Sequence, residues 1–489
     1  MRPRFVQPPG RVIRMMVALL AVSACGSLPG AQDPAQPARV REVLAGKRTT
    51  ARASWWGFNA ADSTEFLQQA INSKVRRLIL DRQNSAWITR PLTGVGNQEI
   101  IFEAGTELVA MQGAYRSKGD CLLAFRECDN VVLRGRRRDG GKSAHIRMRK
   151  EDYQSGAYEK SEWRHGLVFS GCRNVRIQEL TIAQTGGDGI YLGATKNRSV
   201  NQNVVIRRVV CRDNHRQGIS VISAENLLIE DCLLCNTRGT DPQAGIDFEP
   251  NSPGESLVNC VVRNCVAENN AGTGFQICPQ FMNSRSQPIS IYLEHCVSRS
   301  NRLHAIHLCS APKDPPGGRL RITGFRSEAD GLAGLSVQFN PYDAMRIALE
   351  DSVIRDSARQ DKFFAPLYVQ GLDSDNRPPG NLHFKHLRIK DDLSRPVLKF
   401  GGRKGNGWKD ITGDIILERN GRKERITVDD DWLREMEQAG SAKPGRGLQS
   451  LESRQDQDPL ANGRGPSARR EAGIAGRPSV SNHHEAYWD

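Results

Sequence analysis

The stretch AGIDFEPN, from Ala244 to Asn251, contains the five-residue phrase Gly-Ile-Asp-Phe-Glu, and variants of this phrase recur along much of the chain. The recurring phrases are 23 to 32 residues apart. Repeats of this length are typical of solenoids, in which each repeat is one coil that packs only against its neighbours. The sequence therefore predicts a repeat protein. The phrases begin at Gly166, Gly189, Gly218, Gly245, Gly274, Ala305, Gly334 and Pro366.

The second and fourth positions of each phrase are apolar, whereas the third position varies. In the phrase that begins at Gly245, the apolar residues are Ile246 and Phe248, and the variable residue is Asp247. Side chains of a strand alternate between its two faces, so the apolar positions predict a core and the third position predicts an outer surface. This outer column comprises Val168, Tyr191, Ser220, Asp247, Gln276, His307, Ser336 and Tyr368.

Two further columns predict how the coils are held together. Cys232, Cys265 and Cys296 occupy the same place in three successive repeats. We expect an interior stack of free thiols there, because free cysteine packs well in cores. Asparagines recur three residues before an aligned apolar residue, where they tolerate a left-handed turn and can bond to their copies in adjacent coils. They are Asn130, Asn174, Asn203, Asn226 and Asn259.

The N-terminus predicts export. Arg11 and Arg14 precede the apolar run MMVALLAVSA, which is too short to span a bilayer and is typical of an export signal covering residues 1–24. The run ends in Val-Ser-Ala-Cys-Gly, which resembles the bacterial lipobox and predicts lipidation of Cys25. We therefore expect a lipid-anchored protein of the bacterial cell envelope. The alternative is ordinary cleavage, which would give a secreted or periplasmic protein.

The remaining chain divides into four segments by composition. Residues 25–50 are rich in Ala, Pro and Gln and predict a flexible tether. Residues 51–400 contain a capping segment and then the repeats. The capping segment, WWGFNAADSTEFLQQAINS, predicts an amphipathic helix that covers the end of the solenoid. Residues 401–437 predict a β-hairpin cap, because Asn420-Gly421 separates two strand-like runs. Residues 438–489 contain few hydrophobic side chains and predict a disordered tail.

Coils of this length, asparagine turns, the segment GFNAADSTEFLQQAI and the segment GGDGIYLG resemble the right-handed parallel β-helix proteins of the pectate-lyase-like superfamily. The resemblance implies an all-β fold, a right-handed parallel β-helix with an N-terminal capping helix and a C-terminal β cap. It leaves the reaction open, because the superfamily includes polysaccharide lyases, glycoside hydrolases, epimerases, phage tailspikes and adhesins. The Asn-Thr-Asp, Asp-Asp and Gly-His-Gly signatures of polygalacturonase-like hydrolases do not align, and the Asp-Pro-His-Asp motif of mannuronan epimerases is absent.

The formal net charge of +14 favours an anionic partner, although lysine and arginine are also ordinary solubilising residues. With the resemblance, the charge favours an acidic polysaccharide as substrate and a membrane as the partner of the lipid anchor. No nucleic acid is expected. No cysteine or histidine spacing predicts a zinc site.

Asp247 and Glu249 are the candidate catalytic pair, because they lie two residues apart on the outer face of one predicted strand. Two carboxyl groups are what glycoside hydrolysis requires, and that reaction needs no cofactor. Asp188, in the turn before GIYLG, is a third candidate, although an aspartate there also serves to close a turn. Six residues near these carboxylates are expected to bind sugar hydroxyls or an acidic group: Tyr191, Arg216, Gln276, His307, Arg164 and His165.

Two other functions fit the same residues. A lyase would use His307, Tyr191 or an arginine as the base, with Asp247 and Glu249 as ligands of Ca²⁺. A non-catalytic glycan-binding or structural β-helix lipoprotein would not depend on the two carboxylates. We expect hydrolysis slightly ahead of elimination, and both ahead of binding alone.

Overall fold

The computed structural model describes residues 36–136, 143–310, 313–359, 361, 363–371, 377–401 and 407–440. The predicted export signal, the lipidation site Cys25 and the tail beyond residue 440 lie outside these ranges. No helix in the described ranges is long and apolar enough to cross a membrane. The helices are α1 (Gln36–Leu44), α2 (Thr64–Asn72), α3 (Lys150–Tyr153) and α4 (Asp430–Gly440), with a 3₁₀ turn at Ala53–Trp55.

Strands make up most of the described chain. The first eighteen are β1 (Thr50–Arg52), β2 (Arg77–Leu80), β3 (Trp87–Thr89), β4 (Leu92–Thr93), β5 (Gln98–Phe102), β6 (Glu107–Ala110), β7 (Leu123–Arg126), β8 (Asp129–Gly135), β9 (Ala144–Arg147), β10 (Leu167–Ser170), β11 (Arg173–Gln178), β12 (Leu180–Ala183), β13 (Ile190–Gly193), β14 (Asn201–Arg207), β15 (Val210–Arg212), β16 (Ile219–Val221), β17 (Ala224–Glu230) and β18 (Leu233–Cys235). The others are β19 (Ile246–Phe248), β20 (Leu257–Arg263), β21 (Val266–Glu268), β22 (Phe275–Ile277), β23 (Ile289–Glu294), β24 (Val297–Arg299), β25 (Ile306–Cys309), β26 (Gly318–Thr323), β27 (Arg326–Glu328), β28 (Leu335–Gln338), β29 (Arg346–Glu350), β30 (Val353–Arg355), β31 (Leu367–Gln370), β32 (Gly380–Lys390), β33 (Leu398–Gly401), β34 (Lys409–Arg419) and β35 (Arg422–Val428).

The strands stack in parallel ladders. One coil consists of β16, β17 and β18, and the next coil begins with β19, which pairs with β16. The strands that carry the five-residue phrase belong to an 11-stranded ladder running from β4 to β33. The other two strands of each coil form ladders of their own, as in the pairing of β17 with β20 and of β18 with β21. The predicted right-handed parallel β-helix is confirmed.

The apolar positions of the phrase form the core, as predicted. Ile246 and Phe248 are fully buried, and so are their counterparts in neighbouring coils. Phe125 and Phe169 stack with ring centroids 5.0 Å apart along the helix axis. Each such side chain contributes about 1.5–3 kcal/mol to folding, so the coils are stabilised mainly by their interior.

The predicted cysteine and asparagine columns are also present. Cys232, Cys265 and Cys296 are free and at most 2% exposed. The five asparagines have positive φ between 53° and 57°. Their side chains form a continuous chain of hydrogen bonds of 2.8 to 3.2 Å that begins at Asn97 and ends at Asn259.

The N-terminal cap agrees with the predicted amphipathic helix and extends it. In α2, Leu67, Ala70 and Ile71 are buried against the first coils. The segment 25–50, predicted to be a flexible tether, contains α1, in which Val43 is 5% exposed. The tether prediction is therefore wrong for residues 36–44, because the Ala-, Pro- and Gln-rich composition conceals apolar residues at helical spacing.

The C-terminal cap contains the predicted hairpin. Strands β34 and β35 are antiparallel, and the turn residues Asn420 and Gly421 have positive φ of 49° and 75°. Helix α4 follows and buries Leu433. The cap therefore extends to residue 440, slightly beyond the limit of 437 expected from the sequence.

Candidate functional site

Asp247 lies in the middle of the outer column. The strand register places Asp247 beside Ser220 on one side and beside Gln276 on the other. Tyr191 pairs with Ser220, and His307 pairs with Gln276. Since neighbouring strands are about 4.8 Å apart, Tyr191 and His307 each lie about 9.6 Å along the column from Asp247.

The Asp247 carboxyl group is fully buried, although it was expected on an exposed face. Its Oδ2 atom accepts hydrogen bonds from Gln217 Nε2 at 2.9 Å and from Gln276 Nε2 at 3.4 Å. Its Oδ1 atom has no hydrogen-bond partner. Burial, and then the nearby Glu249, raise the pKa of Asp247 well above its ordinary value. This environment favours the protonated acid.

Glu249 is partly exposed and forms an ion pair with Arg216. Arg216 Nη2 lies 2.6 Å from Glu249 Oε2, and the two side chains are 11% and 19% exposed. The Nη1 atom of the same guanidinium lies 3.5 Å from Asp188 Oδ2. Although burial lowers the pKa of Arg216, Asp188 and Glu249 raise it more. Arg216 is therefore a permanent positive charge between two carboxyl groups.

Asp188 is fully buried beside His165. Burial is the largest cause that raises the pKa of Asp188 to about 7, against the opposing effect of Arg216. His165 Nδ1 accepts a hydrogen bond from the Asp188 backbone amide at 2.9 Å and lies 3.3 Å from Asp188 Oδ2. Burial and Arg216 lower the pKa of His165 to about 3. His165 is thus a neutral imidazole with its Nδ1 already occupied.

Tyr191 extends the cluster toward the N-terminal coils. Its ring stacks on His165 with centroids 4.6 Å apart and planes 9° from parallel. Burial raises the pKa of the Tyr191 phenol, so its hydroxyl is neutral. Tyr191 can therefore offer a neutral hydroxyl for hydrogen bonding but does not act as a base.

Gln217 is a site residue that sequence reasoning missed. It is fully buried and contacts Asp247 directly. Gln217 precedes the first glycine of its phrase, as His165 and Asp188 do in the two preceding coils. Backbone hydrogen bonds stack these positions, since Gly166 donates to the Asp188 carbonyl and Gly189 donates to the Gln217 carbonyl. The sequence signal for Gln217 was therefore its position in a column of polar residues, after His165 and Asp188.

Arg164 and His307 do not join the carboxyl cluster. Arg164 is fully buried, and its guanidinium donates to the backbone carbonyls of Tyr115, Arg116 and Glu159 at 2.7, 3.2 and 2.8 Å. These contacts give Arg164 a structural role, and its role in substrate binding stays a prediction. His307 Nδ1 lies 3.2 Å from Ser336 Oγ, farther along the column.

Unsatisfied polar atoms are concentrated at this site. Of the 17 buried side-chain nitrogen and oxygen atoms without a hydrogen-bond partner in the described residues, six belong to this cluster. Buried polar atoms are nearly always bonded in folded proteins, so these atoms make the cluster the candidate functional site. The six are Asp188 Oδ1 and Oδ2, Arg216 Nε, Gln217 Oε1, Ser220 Oγ and Asp247 Oδ1.

The site does not fit Ca²⁺, the cofactor expected for a lyase. Within the described ranges, no group of three or more His, Cys, Asp or Glu side chains is arranged to bind a metal ion. Glu249, one of the two expected ligands, is already paired with the Arg216 guanidinium. A divalent cation would have to approach this fixed positive charge.

Comparison with known proteins agrees with the fold. A family model described as a right-handed β-helix region matches residues 157–312, which include most of the cluster. Two curated proteins of Bacillus subtilis strain 168 match parts of the chain, the uncharacterized protein YclG with 28% identity over 181 residues and the SPbeta prophage-derived uncharacterized protein YorA with 25% over 187 residues. Each match covers 35% of this chain and 30% of the relative, so the chain aligns with less than a third of their length.

Three solved structures illustrate the shared fold. The A-module of the Azotobacter vinelandii mannuronan C-5 epimerase AlgE6 has a TM-score of 0.53 at 13% identity, covering 76% of this chain and 93% of that one. The Streptococcus pneumoniae surface adhesin PfbA has a TM-score of 0.53 at 9% identity, covering 78% and 96%. The Yersinia enterocolitica family 28 exopolygalacturonase has a TM-score of 0.51 at 12% identity, covering 78% and 79%. The chain therefore has the right-handed parallel β-helix fold that these three structures share.

Proposed function

We propose that this protein hydrolyses glycosidic bonds of a polysaccharide, with Asp247 and Glu249 as the catalytic pair. The observation that carries the proposal is the contrast between the carboxyl group of Asp247 on β19 and that of Glu249, the residue directly after this strand. Asp247 is buried, with an unpartnered oxygen and a raised pKa. Glu249 is partly exposed and paired with Arg216.

The two environments suit the two roles in glycoside hydrolysis, a general acid and a general base or nucleophile. A carboxyl group in the environment of Asp247 retains a proton and can donate it to the leaving glycosidic oxygen. Glu249, paired with the Arg216 guanidinium, can activate water or attack the sugar. The wild-type pair would lose this contrast if either group became an amide.

The spacing of the pair favours inversion of the anomeric carbon. Positions two residues apart on a strand are about 6.7 Å apart, within the range of about 6.5–9.5 Å typical of inverting enzymes and above the range of about 5–5.5 Å of retaining ones. The extra space accommodates the attacking water. We therefore expect the first product to have the opposite anomeric configuration to the substrate.

The solved structures support carbohydrate chemistry in a general way. Two of the three are named as an epimerase of mannuronan and an exopolygalacturonase, whereas the third is an adhesin. Because identities are 9 to 13%, these likenesses concern the fold and leave the sugar open. The net charge of +14 favours an acidic polysaccharide.

The test is incubation of the purified protein with neutral and acidic polysaccharides, with and without a chelator. Both new reducing ends and the absorbance of unsaturated uronates are measured. We expect reducing ends without unsaturated products, and loss of activity in Asp247→Asn and Glu249→Gln. Glu268→Gln is the matched control, because Glu268 pairs with an exposed arginine on another face of the coils. Thermal unfolding confirms that each variant is folded.

The other outcomes identify the alternatives. An unsaturated product would mean elimination, and loss of that product on chelation would mean that a metal is required despite the poor fit of the site. Binding of a polysaccharide without any product, retained in Asp247→Asn, would make the protein a glycan-binding β-helix. In either case the hydrolytic proposal would be withdrawn.

We also propose that the protein is exported and anchored by a lipid on Cys25. The proposal rests on the basic, apolar and lipobox-like order of residues 1–26. Metabolic labelling with a fatty acid in a bacterial host tests it. Label in the wild type but not in Cys25→Ala supports lipidation, whereas an unlabelled protein recovered in the periplasm or medium supports ordinary cleavage.

A further inference from the structure

Two cysteines lie next to the carboxyl cluster on the outer face of the repeat strands. Cys278 follows β22, and Cys309 ends β25. The register pairs Gln276 with His307 and the next residue, Ile277, with Leu308. The next pair in this register is Cys278 and Cys309. The two thiols therefore lie side by side on adjacent strands.

The same register relates these thiols to the candidate site. The fifth position of successive phrases is Glu249, Cys278 and Cys309, one column away from Asp247, Gln276 and His307. Asp247 and Glu249 are close enough to affect the ionisation of Cys278. The thiol pair thus borders the carboxyl cluster on its C-terminal side.

An imidazole accompanies the pair. His307 lies two residues before Cys309 on the same strand, so both side chains point to the same face. Its ring stacks on His304 with centroids 5.0 Å apart, and its Nδ1 is 3.2 Å from Ser336 Oγ, so the ring orientation is fixed. Hydrogen bonds to Cys278 and then to His307 lower the pKa of Cys309.

We propose that Cys309 is a reactive thiolate and that it forms a reversible disulfide with Cys278 when it meets a peroxide. Cα atoms of adjacent in-register residues are about 4.8 Å apart, within the range of about 4.4–6.8 Å that a disulfide spans. Both cysteines are free in the structure, and Cys309 is partly exposed. This inference concerns thiol chemistry and does not rest on the proposed hydrolysis.

The reaction balances with hydrogen peroxide as the oxidant. The Cys309 thiolate attacks one peroxide oxygen, the O–O bond breaks, and hydroxide leaves as Cys309 becomes a sulfenic acid. The Cys278 sulfur then attacks the sulfenic sulfur, forms the S–S bond and expels a second hydroxide. The thiol proton and a solvent proton convert both hydroxides to water. Two thiols together lose two electrons, and the peroxide gains them.

Other cysteines in the chain provide internal controls. Cys232, Cys265 and Cys296 also stack in adjacent coils, but they are at most 2% exposed inside the core. Cys128 is partly exposed and lies near Cys172, which lowers the pKa of Cys128 to about 7, but histidine is not among the groups that act on it. The proposal therefore ranks Cys309 first in reactivity, Cys128 second and the interior thiols last.

The first experiment measures alkylation of the reduced full-length protein by limiting iodoacetamide at pH 7. Trypsin releases Cys309 in peptide 303–313 and Cys278 together with Cys265 in peptide 264–285, so fragmentation assigns each label. We expect Cys309 to react at least about tenfold faster than the interior thiols, because an ordinary thiol is only about 3% ionised at pH 7. His307→Gln should slow Cys309 several-fold and leave Cys128 unchanged.

The second experiment treats the protein with hydrogen peroxide and maps the products without reduction. We expect a cross-linked pair of these two peptides, two hydrogens lighter than their sum, that disappears on reduction. Cys309→Ser and Cys278→Ser should abolish it, and Cys232→Ser should not. Alkylation of Cys309 no faster than that of the interior thiols, or a dominant cross-link between Cys128 and Cys172, would overturn the proposal.

Discussion

Two regions of the helix bury aspartates in opposite ways. Asp330 lies five residues before β28 begins. It accepts hydrogen bonds from Ser298 Oγ, from the Asn301 backbone and side-chain amides, and from Ser327 Oγ, all at 2.9 to 3.1 Å. Among the described residues, neither carboxyl oxygen of Asp188 accepts a hydrogen bond, and Asp247 leaves one carboxyl oxygen without a partner. All the hydrogen bonds of Asp330 thus stabilise the coils, whereas Asp188 and Asp247 keep carboxyl oxygens available for a ligand.

The difference teaches that burial alone does not mark a functional carboxyl group. Burial raises the pKa of Asp330 to about 6 and that of Asp188 to about 7. Hydrogen bonds from the surrounding donors limit the rise for Asp330, because they favour the charged form. The number of unsatisfied oxygens distinguishes the two regions better than the pKa does.

The largest expected effect comes from matched amide substitutions in the two regions. If the proposed hydrolysis is correct, Asp247→Asn lowers the rate about 10²–10⁴-fold, because an amide cannot donate the catalytic proton. Asp330→Asn leaves the rate per folded molecule unchanged. Initial rates on a polysaccharide substrate, with the folded fraction measured by circular dichroism, decide between them. Equal losses in both variants would remove the distinction.

Removal of the buried cation should have the next largest effect. Arg216→Met leaves Asp188 and Glu249 without their shared partner, and we expect the free energy of unfolding to fall by about 3–5 kcal/mol. Arg299→Met is the control, since Arg299 is 51% exposed in its pair with Glu268, and a change of less than about 1 kcal/mol is expected. Urea unfolding measures both. Similar changes in the two variants would mean that the Arg216 pair behaves as a surface pair.

A smaller loss of stability is expected at the saturated aspartate. Asp330→Ala leaves buried donors of Ser298, Asn301 and Ser327 without an acceptor, which should cost about 1–3 kcal/mol. Asp330→Asn should cost less, because its amide oxygen can still accept. Thermal and urea unfolding of the two variants test this order. A reversed order would show that the charge of Asp330, rather than its hydrogen bonds, stabilises the coils.

The smallest expected difference between Asp188 and Asp330 is in how the free energy of unfolding depends on pH. Both groups have folded pKa values above the ordinary 3.8, so their stabilising contribution is complete below about pH 4 and is lost as the pH rises through the folded pKa. For Asp330 the loss ends near pH 6, whereas for Asp188 it continues to about pH 7. Each group contributes at most about 1.4 kcal/mol per pH unit.

Urea unfolding at intervals from pH 4 to pH 8 measures this difference. Asp188→Asn should flatten the decline between pH 6 and pH 7, and Asp330→Asn should flatten it only below about pH 6, in line with their pKa values of about 7 and about 6. An unchanged decline in Asp188→Asn would contradict the buried, proton-binding state of Asp188.

The fold could be predicted because its determinants repeat along the sequence. The alternation of Ile246, Asp247 and Phe248 recurs in every coil, so the core and the register of the outer column follow from spacing alone. The asparagine chain follows for the same reason. Helix α1 was missed because it occurs once, in a segment whose composition resembles a linker.

The site could be predicted only in part. Spacing placed Asp247 beside Gln276, but it did not show that Asp247 is buried or that Gln217 binds it. The contacts of Arg164 were not predicted, because its guanidinium binds carbonyls of a loop nearly fifty residues earlier in the chain, at Tyr115 and Arg116. Contacts between loops of different coils do not repeat, so no periodicity reveals them.

The hairpin of β34 and β35 affects the C-terminal end of the stack of parallel strands. A stack of parallel strands offers its last strand as a template on which another chain could continue the sheet. Here β35 folds back antiparallel on residues 413–419 of β34, and its own outer stretch carries Arg422, Lys423, Glu424 and Arg425. Charged side chains on an edge strand oppose further pairing. The hairpin therefore opposes the addition of a strand from another chain to residues 413–419 of β34.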